Sequence, residues 1–213
     1  MKYDLIKTGS KGNAVVLNDS ILVDIGVPFK ALLGHYKKLS IALLTHEHQD
    51  HFNRATIKKL AFERPALRYG CPLWLVPDLV AWGVEKRNID VCDMDKLYDY
   101  GSFKISPFRL QHNVMNCGWK IHFADGKKAL YATDTNSMTG IEAKGYDLYL
   151  IEANYSEDEI IERIRDKQNR GEFCHEWAVL QNHLSREKAE DFIYQNAGQN
   201  SEYIFLHQHG ENI

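Results

Sequence analysis

The chain has 213 residues, 44% of them hydrophobic and 26% charged, with a formal net charge of −3. These are the proportions of a soluble globular protein, and a chain this long removes roughly 70% of its unfolded surface from water. They exclude a strongly basic nucleic-acid binder, and no window approaches the roughly 18 apolar residues of a transmembrane helix, so no membrane partner is expected.

Residues 3–7 and 13–17 read as short strands joined by a turn through Gly9, Ser10 and Gly12. Ile21-Leu22-Val23-Asp24 is an apolar strand ending at an acid, residues 29–38 have helical spacing, and Ile41-Ala42-Leu43-Leu44 is a strand running into a histidine cluster. A helix is expected over 54–63, a strand over 73–76 and a short helix over 78–86. Residues 96–125 hold alternating strands with turns at Asp99-Tyr100-Gly101 and Ala124-Asp125-Gly126. Strands at 128–133 and 148–151 precede a long amphipathic helix over 156–169. A helix over 185–196 opens at Ser185 with a partial capping box, and Tyr203-Ile204-Phe205-Leu206 is the last strand. No repeat and no Pro/Gly/Ser-rich linker interrupts this order, so residues 1–213 are expected to form one layered α/β domain.

The N-terminal Met1-Lys2-Tyr3-Asp4-Leu5-Ile6-Lys7 lacks the apolar run of a secretory signal. Cys71, Cys92, Cys117 and Cys174 are scattered without a CxxC pair. That spacing argues against a cysteine zinc site and for reduced thiols in a cytoplasmic protein.

Histidine is the unusual component: there are 10, three of them within Thr45-His46-Glu47-His48-Gln49-Asp50-His51. Apolar strands repeatedly end in a candidate ligand. Strand 21–23 leads to Asp24, 41–44 to the cluster, 103–110 to His112, 129–132 to Asp134 and 203–206 to His207. Strand ends are rigid, so ligands placed there can converge at one sheet edge. His46 and His48, two apart on extended backbone, point the same way and can grip one ion. Asp50 and His51, past a turn, can face a second, while Glu47 and Gln49 face away. Imidazole with carboxylate and no thiolate suits zinc, with manganese or iron as alternatives. Two such ions about 3.5–4 Å apart generate a bridging hydroxide near neutral pH and clamp both oxygens of a displacement.

This pattern resembles the metallo-β-lactamase superfamily along nearly the whole chain. The resemblance implies a four-layer αββα sandwich of two mixed sheets flanked by helices. It also implies a structural Asp24, a first metal on His46, His48 and His112, a second on Asp50, His51 and His207, and a bridging Asp134. Thr8-Gly9-Ser10-Lys11-Gly12-Asn13, Tyr131-Ala132-Thr133-Asp134-Thr135-Asn136, Ile151-Glu152-Ala153-Asn154-Tyr155 and Asn182-His183-Leu184-Ser185 resemble the WalJ/YycJ-type proteins. Those are relatives of ribonuclease Z linked to phosphodiester hydrolysis. His183 then matches a histidine that contacts the scissile phosphate or protonates the leaving oxygen, with a direct ligand role left open. Asn182 stands where the group has Gly. His207 is followed by Gln208-His209 rather than Leu-Ser, which keeps His209 as an alternative last ligand. No long Gly-rich insertion of the kind ribonuclease Z uses for transfer RNA is present.

His35, His122 and His175 have no motif context and read as surface or structural histidines. Trp74, Trp82, Trp119 and Trp177 read as core or pocket lining. The stretch Arg163-Ile164-Arg165-Asp166-Lys167-Gln168-Asn169-Arg170 reads as a solvated helix face of mixed charge; Lys37-Lys38, Arg54 with Lys58-Lys59 and Lys127-Lys128 become a nucleic-acid footprint only if they converge on one rim. The expected function is phosphodiester hydrolysis of DNA or RNA, with Asp50, Asp134 and His183 catalytic. The alternatives are a phosphodiesterase of cyclic nucleotides, a glyoxalase II- or lactonase-like ester hydrolase, and a metal-binding scaffold. Monomer and homodimer are both left open.

Overall fold

The computed structural model describes residues 1–208. His209, the alternative last ligand, lies outside the described residues.

Two six-stranded mixed sheets make up the centre. The first runs in spatial order through β1 (Tyr3–Lys7), β2 (Ala14–Leu17), β3 (Ile21–Val23), β4 (Ile41–Leu43), β5 (Arg68–Cys71) and β6 (Ile89–Val91). Its first three strands are antiparallel, and β3 to β6 are parallel. The second sheet runs β12 (Glu202–Leu206), β11 (Leu148–Glu152), β10 (Lys128–Ala132), β9 (Asn116–Phe123), β8 (Phe103–Leu110) and β7 (Tyr98–Asp99). Here β12, β11 and β10 are parallel and the rest antiparallel.

The two sheets face each other across one apolar layer. Val15, Leu17, Val23 and Leu43 from the first meet Ile105, Trp119, Ile121, Tyr131 and Leu150 from the second. In β8, Phe103 and Ile105 face the first sheet with Lys104 exposed on the opposite face, and further along Phe108 and Leu110 on that opposite face are buried in the outer layer. The parallel strands β3, β4, β10 and β11 are instead almost wholly buried, because helices and the partner sheet cover both their faces.

Helices α1 (Arg54–Glu63) and α2 (Val76–Ala81) cover the first sheet through Ile57, Leu60 and Leu79. Helix α5 (Arg186–Asn196) covers the second through Ala189, Phe192 and Ile193. Helices α3 (Glu157–Arg170) and α4 (Glu176–Asn182) form a small side layer around Tyr155, Ile160 and Ile164. This is the four-layer αββα sandwich. No helix of the described residues is long and apolar enough to cross a membrane.

The structure corrects three expectations. Residues 73–76 are not a strand: Leu73–Leu75 is a 3-10 turn leading into α2. Pro72 and Pro77 flank this segment and withhold two ladder donors, which suits a turn and a helix start. The strand lies earlier, at β5, whose Gly70 leaves room for Leu43: a Cβ there would sit 2.9 Å from that side chain. The helix expected over 78–86 begins earlier and ends at Ala81. The helix expected over 29–38 is only a 3-10 turn, Phe29–Leu32, in a segment broken by Gly34. Strand β6 and helix α4 carry no periodic signal and were not anticipated.

Candidate metal centre

The carboxyl ends of β3, β4, β10, β11 and β12 open on one cleft, the place where parallel strands deliver ligand-binding residues. Asp24 follows β3 directly, the 45–51 loop follows β4, and His207 follows β12. Asp134 lies two residues past β10. Asp24, Asp134 and His207 all hold left-handed backbone, with φ of 60°, 55° and 54°. Such conformations cost roughly 1–2 kcal/mol each in non-glycine residues. Their clustering at one cleft marks where the fold sustains strain to aim side chains.

The chain braces the histidine loop from beneath. The Asp24 carboxylate accepts from Thr45 N (3.1 Å), Thr45 Oγ1 (2.9 Å), His51 Nδ1 (2.7 Å) and Tyr131 Oη (3.0 Å). Asn13 N donates to Asp50 O at 2.6 Å, and Ile25 N to His51 O at 2.8 Å. Gly26 is obligatory here: a Cβ would lie 1.6 Å from Asp50 O.

Three groups of ligand atoms result, and within each the atoms lie within 4.8 Å of one another. His46, His48, His112 and Asp134 form one, Asp50, His51, Asp134 and His207 another, and these two contain the seven ligands expected from sequence; Asp134, Glu152, His183 and His207 form the third. His48 Nδ1 is 3.1 Å from His46 Nε2 and 3.3 Å from His112 Nε2. Asp134 Oδ2 is 3.1 Å from His46 Nε2 and 3.0 Å from His51 Nε2. Bonds of about 2.0–2.1 Å to a tetrahedral zinc place ligand atoms about 3.3 Å apart. The spacing therefore fits a divalent ion. His207 Nε2 is buried with no hydrogen-bond partner, an arrangement that is costly unless a cation takes the lone pair.

The electrostatics point the same way. Burial pushes His112 down to about 4, against the pull of Asp134, and lowers His46 too. Burial also opposes charge on His51, but Asp134 and Asp24 outweigh it and hold that ring well above its ordinary range. Asp134 is held well below the carboxylate range because His51 and His207 overcome its burial. One carboxylate thus organises the imidazoles of both groups. On their far sides, His51 Nδ1 donates to Asp24 and His112 Nδ1 to Asn182 O (3.0 Å), which fixes each ring's orientation.

His183 lines the same cleft, its ring stacked on that of His207 at 5.0 Å and 13°. Its Nδ1 donates to Glu152 Oε1 at 2.5 Å. Glu152 is fully buried, and its other oxygen accepts from Thr135 N at 2.8 Å. Burial raises this carboxyl, against the pull of His183. No role was assigned to Glu152 from sequence, although a carboxylate ending the apolar run of β11 is itself a signal, since such a group is buried only when paired.

Glu47 and Gln49 are exposed. His122 bonds Tyr146 Oη at 2.9 Å, and His35 lies 3.9 Å from Asp4, both away from the cleft. His175, read as surface or structural, lines the cleft. Trp119 is in the inter-sheet core, Trp82 packs on Phe52 and Trp74 under Arg109, but Trp177 is half-exposed. The cleft, about 360 Å³, has no Lys or Arg lining it among the described residues.

Fold and site together define a metal-dependent hydrolase. The chain belongs to the beta-lactamase superfamily, whose domain model matches residues 22–191. Among solved structures, the metallo-β-lactamase fold protein YhfI from Bacillus subtilis superposes with a TM-score of 0.74 at 18% identity, covering 99% of this chain and 87% of that one. The short form of human tRNase Z gives 0.72 at 16%, covering 99% and 93%. A diphosphatase of the PhnP family gives 0.66 at 14%, covering 97% and 85%. At these identities the likeness is one of fold. No curated protein matches the chain by sequence.

Proposed function

We propose that the protein is a dinuclear metal-dependent phosphodiesterase acting on a nucleic-acid or nucleotide substrate. The observation that carries this reading is His183, backed by buried Glu152 and aimed into the cleft that holds both ligand groups. An ester or lactam hydrolase needs the metals but gains little from a second, separately oriented imidazole. Two fold neighbours, named as a tRNase Z and a diphosphatase, support the same substrate chemistry.

In this reading His46, His48 and His112 would hold one ion and Asp50, His51 and His207 the other, with Asp134 within reach of both. Zinc is the natural occupant of such an imidazole–carboxylate set. Bound ions would supply a water-derived nucleophile near neutral pH and offset charge on the phosphate. Asp24 holds the loop and the His51 tautomer. Asp50, partly exposed at the cleft, borders the attacking side. His183 gives a proton to the leaving oxygen, with Nδ1 anchored by Glu152 so that the other ring nitrogen faces the substrate. Residues 1–213 act as one domain in this account, and the free thiols suit a cytoplasmic setting. The lack of a Lys or Arg lining the cleft among the described residues favours a short or single-nucleotide substrate over a long duplex.

The test is a screen of metal-loaded protein on bis(p-nitrophenyl) phosphate, single-stranded DNA and RNA, cyclic mononucleotides, a thioester and a β-lactam. Phosphodiester turnover is expected, falling about 10²- to 10⁴-fold in His183→Ala. Turnover confined to the thioester or lactam, or indifferent to His183, overturns the reading.

A further inference from the structure

Helix α4 borders two adjoining cavities. One is the metal cleft; the other, about 310 Å³, lies between α4 and α3. His175 and Val179, one turn apart, line both. The second cavity is mostly apolar, with Tyr155, Ile160 and Val179 in its walls, and Arg163 and Lys167 reach it from the same face of α3. Lys167 is neutralised by Glu176 at 2.7 Å. Arg163 is held only by an exposed i,i+4 contact to Glu159 at 3.2 Å, a weak tie that an anion can displace. Outside the lining, the ring of Phe173, 76% exposed, stands edge-on to His175 at 4.7 Å. The metal cleft itself offers no Lys or Arg among the described residues.

We infer that the α3–α4 cavity is the subsite for the nucleoside flanking the scissile phosphate. This rests on the phosphodiesterase reading above. An apolar slot with the Tyr155 ring in its wall accepts a base, because every base has an apolar face to stack. Arg163 supplies the positive charge that the cleft lacks and can take a neighbouring phosphate or a base carbonyl. The stretch of α3 that sequence makes look like a solvated, mixed-charge face thus has one side turned toward ligand. Asn154 is committed to His207, whereas Glu176 pairs with Lys167 through Oε1 and leaves Oε2 buried without a partner, an acceptor that favours a base presenting an N–H to it.

The experiment is calorimetric titration of the metal-loaded protein with nucleoside 5′- and 3′-monophosphates and, separately, with inorganic phosphate. The better nucleotide should bind about tenfold tighter than inorganic phosphate, the increment expected for one stacked base. Arg163→Ala, at a half-buried position, and Ile160→Phe, which narrows this cavity without lining the metal cleft, should each bring that ratio toward one while inorganic phosphate still binds. A dinucleotide that gains again over the mononucleotide identifies a chain as the natural ligand, and one that gains nothing identifies a free nucleotide; both sustain the subsite. Nucleotides binding no tighter than inorganic phosphate, or a ratio unchanged in both variants, overturn it. Because binding is read without turnover, failure here leaves the hydrolysis screen standing, and failure of the screen leaves this ratio readable.

Discussion

Glu152 and His183 stand 31 positions apart in the chain yet share a hydrogen bond of 2.5 Å, the carboxylate fully buried and the ring on the cleft wall. The bond fixes which imidazole nitrogen carries its proton inward and which faces the substrate. Glu152→Gln should lower kcat on a phosphodiester about 10- to 100-fold, the usual cost of removing such a partner. KM and metal content should hold. Parallel loss of bound metal would mean that Glu152 serves the ligands rather than His183.

Asp24 answers four donors in a site closed to water. Asp24→Ala leaves them unpaired, at about 3–5 kcal/mol for a broken buried network. At roughly 2–4 °C per kcal/mol for a chain of this length, Tm should fall by about 6–20 °C. Calorimetry of the metal-free protein isolates this from ligand loss; a shift of only a degree or two would show that the loop is held elsewhere.

Gly26 and Gly34 make a matched pair. A Cβ on Gly26 would strike Asp50 O at 1.6 Å, whereas one on Gly34 meets nothing within 4 Å. Gly26→Ala should lose bound metal and melt lower, while Gly34→Ala should match the wild type in both. Equal behaviour would contradict the close approach between the Asp24 and Asp50 loops.

The thiols offer a check on burial. Burial pushes Cys71 and Cys92 up to about 12 and Cys117 well above its ordinary value. Cys174 alone is partly exposed. A thiol reagent at pH 8 should modify one cysteine per native chain and all four after denaturation.

Much of the centre was legible because each ligand follows an apolar strand. His46, His48, Asp50, His51 and Asp134 lie just beyond the buried strands β4 and β10, and His207 beyond β12, of which Leu206 is buried; the fold brings them to one cleft. Strand β5 was hidden because its middle residue is Gly70, chosen for the room it leaves rather than for its own apolar surface. Helix α4 was hidden because it is short, lacks a capping side chain and is held by α3 rather than by its own periodicity. With it went the role of His175, whose place on the cleft depends on where α4 docks. Glu152 was visible as a residue but not as a function, since its partner His183 is distant in sequence.

The most direct test of the account is the divalent-metal content of the purified chain by elemental analysis, beside His112→Ala and His207→Ala. Two ions per wild-type chain are expected, with about one retained in each variant, because each removes a ligand from a different group around Asp134. A wild-type chain that retains no divalent ion after metal loading, or variants that each still hold two, would contradict it.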